Sequence, residues 1–178
     1  MKLAYVSLTL PEETRQFLSL FTNKVAQHLN KYGITYEPMA ESQLHMTLAF
    51  IGHQLQGQSR ERLSQLDAII AKYQDLLTDS TFEFDRYDYF PLSRQNLLVA
   101  RYLPQNSTLM TIYQLKKELR QFGVLEEGDK DEFVAHITLG KIMSKTRYQF
   151  DWEEFRSQLK KAPLCTGAGC HLRGWSEF

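Results

Sequence analysis

Two short segments of the chain repeat the pattern His-x-Thr-Leu. The first contains His45 and Thr47, the second contains His136 and Thr138, and about half of the chain length separates them. Imidazole exchanges a proton near neutral pH, so two histidines can supply one general acid and one general base. Threonine hydroxyls can donate hydrogen bonds to phosphate oxygens and stabilise the charge that develops there. These four side chains therefore predict acid–base chemistry on a phosphodiester.

Both segments have the alternation of a β-strand. Side chains at positions i and i+2 of a strand share a face, which places each histidine beside its threonine. The residues that would occupy the opposite face are apolar and suited to a core, namely Met46, Leu48, Ile137 and Leu139. A lone His-x-Thr strand is more often structural than catalytic, but the repeat in matching strands favours function. We therefore expect the two strands to converge their polar faces on one cleft.

The sequence lacks the motifs of other common catalytic sites for phosphate and ester chemistry. There is no cluster of carboxylates at metal-site spacing, no Gly-x-x-x-x-Gly-Lys phosphate loop and no Gly-x-Ser-x-Gly nucleophile elbow. Cys165 and Cys170 lie near His171, but further ligands at zinc-finger spacing are missing. We therefore expect reduced thiols, no bound metal and no cofactor.

The composition limits the class of protein. The 178 residues are 43% apolar and 24% charged, which is typical of a globular protein and predicts one domain spanning residues 1–178. Lys and Arg (21) balance Asp and Glu (21), which argues against a broad electrostatic contact with long nucleic acid and favours a small, local one. Neither a membrane-spanning run nor a signal peptide is recognisable, so we expect a cytoplasmic protein, and a monomer.

Periodicity and turn residues indicate the elements that position the motifs. Strands are predicted at residues 2–10, 43–51, 82–89, 96–102, 133–142 and 164–175, and helices at 11–32, 59–73, 107–122 and 152–160. A strand and a helix precede each motif strand. This order, with the repeated motif, indicates two similar lobes.

Several other residues are open to two interpretations. Tyr5 alternates with Ser7 and Thr9 on the first strand, and could stack a nucleic-acid base or pack in the core. Lys141 follows the second motif and could contact phosphate at the cleft mouth or be a solvated lysine at a strand end. His171 could border the cleft or be structural.

Further candidates have a simpler interpretation. His28 and His53 are interpreted as surface or capping residues rather than participants. The basic residues Lys116, Lys117 and Arg120 on the third predicted helix are interpreted as an ordinary solvated face.

The two motifs closely resemble those of a known family. Residues 45–52 (HMTLAFIG) and 133–139 (FVAHITL) resemble the paired His-x-Thr motifs of the two-histidine phosphoesterases, in particular the bacterial LigT-like RNA 2',3'-cyclic phosphodiesterases. The resemblance implies a bilobal α+β fold, in which two antiparallel sheets flank a V-shaped cleft and helices lie outside. It also implies that an RNA 3'-end or a small cyclic nucleotide is hydrolysed to a 2'-phosphate, with reverse 2'-5' ligation available in principle.

The same resemblance assigns roles and exposes a departure. His45 would donate a proton to the leaving 3'-oxygen, and His136 would accept one from the attacking water. Family members often carry an arginine five residues before the second motif histidine and a proline just before it, where this chain has Asp131 and Ala135. Either Lys130 or Lys141 takes over from that arginine, or the substrate differs from the usual RNA end.

Three classes of function follow from the sequence. The first is the cyclic phosphodiesterase, whose substrate could also be another cyclic or 2'-5'-linked nucleotide. The second is a non-catalytic nucleotide-binding module, which Asp131 favours. The third, a structural or peptide-binding domain, has no specific feature in its support.

Overall fold

A computed structural model describes residues 3–91, 96–129, 132–143 and 151–173, which form strands and helices. The strands are β1 (Ala4–Leu8), β2 (Tyr36–Pro38), β3 (Met46–Gly52), β4 (Thr81–Pro91), β5 (Asn96–Pro104), β6 (His136–Ile142), β7 (Cys165–Thr166) and β8 (Cys170–Arg173). The helices are α1 (Glu12–Asn30), α2 (Arg60–Leu77), α3 (Asn106–Phe122) and α4 (Trp152–Gln158), and a 3-10 turn at Glu41–Gln43 leads towards β3. None of the helices in these ranges is both long enough and apolar enough to span a bilayer.

All four predicted helices are present, and their ends have local causes. Ser59 caps α2 by accepting a hydrogen bond from the Arg62 N–H, and Gly123 ends α3 in the left-handed conformation. Helix α2 continues beyond the predicted end because Leu77 extends its buried stripe. The predicted strand 164–175 is two strands, separated at Gly169, whose φ is +95°.

The strands form one antiparallel sheet in the order β7-β4-β5-β6-β3-β1-β8, with β2 also paired to β6. This confirms the α+β class. The two sheets that the family resemblance implied are continuous here, because Met46 of β3 pairs with Ile137 of β6. We call β1, β3 and β8 the first lobe, and β2, β4, β5, β6 and β7 the second lobe.

The helices cover one face of each lobe. Helix α2 packs against β8 and α3, while α1 packs against β2 and β6. Phe21 of α1 stacks on Tyr87 of β4, and Phe155 of α4 stacks on His28 of α1. His28 thus packs between two helices and lies away from the motifs.

The face of the sheet towards the helices contains the apolar partners of the motifs. Met46, Leu48, Ile137 and Leu139 are all buried, as the alternation predicted. Burial of each such side chain contributes about 1.5–3 kcal/mol relative to exposure. The opposite face carries the motif histidines and threonines and is called the motif face below.

Both cysteines are buried free thiols. Burial raises the pKa of Cys165 to about 12 and that of Cys170 to about 11. Neither thiol is therefore activated as a nucleophile or metal ligand.

Each motif strand forms backbone hydrogen bonds with the segment that precedes the other motif in the chain. Beyond its pairing with β3, β6 pairs with β2, and the Met39 N–H donates to the Leu139 carbonyl at 2.8 Å. Strand β2 lies just ahead of the first motif. In the first lobe, the Glu126 N–H donates to the Phe50 carbonyl at 2.9 Å, and the Phe50 N–H donates to Asp129 at 2.9 Å. Residues 126–129 lie ahead of the second motif.

Side chains of the preceding helices hold these two segments. Lys116 of α3 forms a buried ion pair with Asp129 at 2.7 Å. The interpretation of Lys116 as a solvated residue is therefore wrong, because helical spacing places it beside the buried Ile112 and Leu119. In the second lobe, the Thr22 hydroxyl of α1 lies 2.6 Å from the Tyr36 hydroxyl of β2 and donates to the Leu139 carbonyl at 2.7 Å.

Gly140 allows β2 to approach the second motif strand. A Cβ atom at this position would lie 2.6 Å from the Glu37 carbonyl oxygen and would also overlap the Tyr36 ring. Strand β2 was not predicted, because its three residues end in Pro38 and show no alternating pattern.

Gly140→Ala is expected to lower the free energy of unfolding by about 2–3 kcal/mol, because the added methyl group overpacks a backbone contact. Urea denaturation measures this difference. Gly128→Ala is the matched control, since a Cβ atom there would have no neighbour within 4 Å. Equal stability of the two variants would contradict the close approach of β2.

Candidate active site

Antiparallel register crosses the two motifs. Met46 pairs with Ile137, and the two strands run in opposite directions. His45 therefore lies opposite Thr138, and Thr47 lies opposite His136. All four side chains are half-buried, between buried residues on the other face. The structure therefore brings the four predicted residues together, and each histidine lies beside the threonine of the other motif.

The leucine after each threonine forms a β-bulge. Strand β1 pairs Ser7 with Thr47 and Val6 with Ala49, which skips Leu48. Strand β5 likewise skips Leu139 between Thr138 and Gly140. A bulge inserts one extra residue and reverses the alternation beyond it. The shared leucine thus has a structural reason, and the two lobes match in their backbone geometry.

The bulges bring two further side chains to the motif face. Phe50 lies opposite Tyr5, and Lys141 lies opposite Leu97 of β5 and Glu37 of β2. Phe50 is 43% exposed, which is unusual for a phenylalanine in a strand. Simple alternation would have placed both side chains on the core face. Sequence reasoning consequently missed Phe50.

The same backbone contact orients both imidazoles. Nδ1 of His45 donates to the Gln43 carbonyl at 2.6 Å, and Nδ1 of His136 donates to the Val134 carbonyl at 2.8 Å. Because a carbonyl only accepts, Nδ1 carries the hydrogen in each neutral ring. Nε2 is then the nitrogen that gains and loses a proton.

Burial and nearby cations shift both histidines in the same direction. Burial lowers the pKa of His45, the hydrogen bond to Gln43 opposes this, and the positive charges of Arg173 and protonated His136 lower it further. Burial also lowers the pKa of His136, against the hydrogen bond to Val134, and Arg101 adds to the lowering. Both rings thus favour the neutral form more than a free imidazole does.

Two arginines beside the histidines were missed by sequence reasoning. Arg101 of β5 is in register with His136, and Arg173 of β8 is in register with Tyr5. Arg173 also donates to the Ser42 carbonyl at 3.3 Å. Arg101 could have been found as a charged residue within a predicted strand. No feature of the neighbouring sequence indicates that Arg173 lies near the site. Each motif histidine therefore has its own neighbouring guanidinium group.

Asp88 of β4 holds Arg101 in place. Its carboxylate accepts from Arg101 at 3.0 Å and forms an ion pair with Arg156 at 3.4 Å. Burial alone would raise the pKa of Asp88, but the hydrogen bonds from Arg101 and the Tyr89 N–H, with the nearby arginine charges, hold it below the usual value. Asp88 thus stays ionised and fixes the guanidinium beside the second motif.

Aromatic rings enclose both imidazoles. Tyr5 stacks on His45 with a centroid distance of 4.8 Å and an interplanar angle of 19°. Phe90 of β4 meets His136 edge-on at 5.0 Å. Tyr5 thus lies half-buried on the motif face, so the interpretation as a core residue is wrong, and stacking on a nucleic-acid base stays a prediction.

The remaining candidates are less closely involved. His171 lies in one row with Ser7 and Thr47 across the first lobe and is exposed, so it borders the motif face. His53 follows β3, and its ring lies 3.4 Å from the Gln56 amide. Lys130 and Asp131 lie outside the described residues.

Comparisons with known proteins identify a family and a common fold. The family model of LigT-like phosphoesterases matches residues 8–99, just over half of the chain, and so includes the first motif but not the second. Among curated proteins, no sequence matches at a significant level.

Similar solved structures cover nearly the whole chain. A structure of Escherichia coli LigT with 3'-AMP has a TM-score of 0.58 at 19% identity and covers 96% of this chain and 83% of that one. The protein TT0787 of Thermus thermophilus has 0.56 at 20% identity, with 96% and 83% covered. Kluyveromyces marxianus Usb1 has 0.51 at 12% identity, with 89% and 78% covered. At these identities the likeness shows a common fold.

Substitution of each arginine tests which histidine its charge acts on. Arg101→Gln is expected to raise the pKa of His136, and Arg173→Gln that of His45, because each change removes a neighbouring positive charge. NMR titration of the ring nitrogens measures both values and also reports the Nδ1–H tautomer. Arg101→Lys and Arg173→Lys are the charge-preserving controls. A rise in the pKa of both histidines in either single variant would contradict the assignment.

Proposed function

This chain belongs to the LigT-like phosphoesterases of the two-histidine superfamily, and on that premise we propose that it hydrolyses a 2',3'-cyclic phosphate, on an RNA end or a nucleotide, to a 2'-phosphate. The observation that carries the proposal is the antiparallel register of the two motifs, in which each histidine lies opposite the threonine of the other motif. Two imidazoles and two hydroxyls are thus neighbours on the motif face. A phosphate bound there would have acid, base and hydrogen-bond donors on all sides.

The two histidines divide the proton transfers. Water attacks phosphorus while His136 takes its proton, and the bond to the 3'-oxygen breaks while His45 protonates that oxygen. The fixed Nδ1 contacts support these roles, since they leave Nε2 of each ring for the transfer. A bound phosphate anion would favour the protonated form of His45, offsetting the effect of burial on its pKa. With a 5'-hydroxyl group in place of water as the nucleophile, the same proton transfers would break the bond to the 3'-oxygen and form a 2'-5' linkage.

Phosphate binding in this proposal uses hydroxyls and cations. Thr47 and Thr138 donate to the non-bridging oxygens, and Lys141, on the same face, supplies a positive charge. Arg101 and Arg173 lie nearer to the histidines and take over from the family arginine that Asp131 replaces. A metal ion is not needed for this set of donors.

A nucleoside fits the aromatic side of the site. Tyr5 already stacks on the His45 ring, and Phe50 is exposed next to it, so a base could stack on either ring. Structures of Escherichia coli LigT with 3'-AMP, with ATP and with NADP+ show that this relative binds nucleotides. They also support the second candidate function, a nucleotide-binding module without turnover.

Purified protein is expected to hydrolyse nucleoside 2',3'-cyclic phosphates to 2'-phosphates in excess EDTA, because its own side chains supply the acid, the base and the anion contacts. Phosphorus NMR of the products distinguishes the 2'- from the 3'-phosphate. The substrate panel includes an RNA oligonucleotide with a cyclic end, other cyclic nucleotides and a 2'-5'-linked dinucleotide. Nucleotide binding without turnover of any of them would decide for the binding module.

His45→Ala and His136→Ala are each expected to reduce kcat by about 100-fold to 10,000-fold, the usual contribution of one general acid or base. Circular dichroism checks that the fold is intact. His53→Ala is the matched control, because this exposed histidine follows the same strand but lies outside the site. Near-normal turnover in either motif variant would remove that residue from the proposed chemistry.

A further inference from the structure

Ser7 lies on the motif face, directly beside the first motif. It is in register with Thr47 on one side and with His171 on the other. Paired residues of an antiparallel sheet point to the same face, and Tyr5, two residues earlier, stacks on His45 on that face. The side chain of Ser7 therefore points away from the apolar core and towards the site.

The Ser7 hydroxyl is buried without a hydrogen-bond partner. The residue is 0% exposed, and no group in the described part of the chain bonds to its Oγ atom. Thr9, just after β1, has a second buried hydroxyl of this kind. An unpartnered hydroxyl in the interior is unfavourable, and most buried polar groups of native proteins avoid it. Folding alone does not explain a serine here.

The second lobe shows that the backbone does not require a hydroxyl at this point. The residue opposite Thr138, as Ser7 is opposite Thr47, is Val99. Val99 is fully buried and leaves no polar group unsatisfied. The matching bulges of the two motif strands make this comparison close.

We propose that Ser7 is a positioning residue that donates its hydrogen bond to the Thr47 hydroxyl while Thr47 donates to the bound phosphate. A threonine hydroxyl has one hydrogen to give and two lone pairs to accept with. Opposite residues in a sheet have Cβ atoms about 4.5–5.5 Å apart, so rotation of the two side chains brings the oxygens into contact. Each hydrogen bond of such a chain strengthens the next one. The inference rests on the proposed function of this site.

Ser7→Ala separates this role from a structural one. Its melting temperature is expected to stay the same or rise by about 2 °C, because an unpartnered hydroxyl is removed. Its kcat/KM for a cyclic phosphate is expected to fall about tenfold, mainly through kcat, since the phosphate charge grows in the transition state. Unchanged kcat/KM in an active, folded variant would overturn the proposal.

Thr81→Val is the matched control for removing a buried hydroxyl. Its Oγ1 atom is also buried without a partner, but it lies at the start of β4, nine residues from the Phe90 that meets His136. The same thermal behaviour and an unchanged kcat/KM are expected. A comparable loss of activity in this variant would show that Ser7 acts through general packing.

A double-mutant cycle tests the route through Thr47. If Ser7 acts on phosphate only through that hydroxyl, Ser7→Ala should cause no further loss in a Thr47→Val background. Independent, additive losses would overturn the relay while leaving the hydrolysis intact.

Calorimetry with a nucleoside 2'-monophosphate measures ligand affinity, so it tests the role of Ser7 even if the protein binds nucleotides without turnover. Ser7→Ala is expected to bind this ligand about threefold more weakly than the wild type does, through loss of one supporting hydrogen bond. Equal affinity would overturn the proposal for Ser7. Binding without turnover by the wild type would overturn only the proposed hydrolysis, and no binding would overturn both.

Discussion

The pairing of Met46 with Ile137 determines where everything else in the site lies. Strands β3 and β6 pair with each other at these two residues. Further along the same edges, β6 bonds to β2, and β3 bonds to residues 126–129. The single pair of Met46 and Ile137 sets the register of both motifs.

Similar backbones carry different side chains in the two lobes. Both histidines use Nδ1 in the same way, and both motif strands bulge at the leucine. The strand next to His136 is β5, which supplies Arg101. Strand β1, next to the first motif, supplies Tyr5 and Ser7, whereas the guanidinium near His45 comes from β8. Two copies of one scaffold thus surround their histidines with different neighbouring groups.

Local sequence was sufficient for features that depend on local geometry. Alternation predicted which side chains of each motif share a face, and helical spacing predicted all four helices. Features that depend on strand pairing were out of reach. The bulges that expose Phe50 and Lys141, and the pairing that brings Arg101 to His136, arise from residues distant in the chain. Lys116 was misassigned although its helical position was readable, because a charged side chain was taken as a sign of solvent.

The exchange of segments between the lobes also bears on how the protein reaches its native state. Neither half of the chain contains all the strands that its own motif strand bonds to, so the sheet is built from contacts between residues far apart in sequence. Such high contact order slows folding, because long loops must close before their contacts stabilise anything. An intermediate with one finished lobe would leave the open edge of a motif strand exposed to pairing with another chain. The arrangement that aligns the two histidines thus leaves a partly folded chain with a strand edge that is open to aggregation.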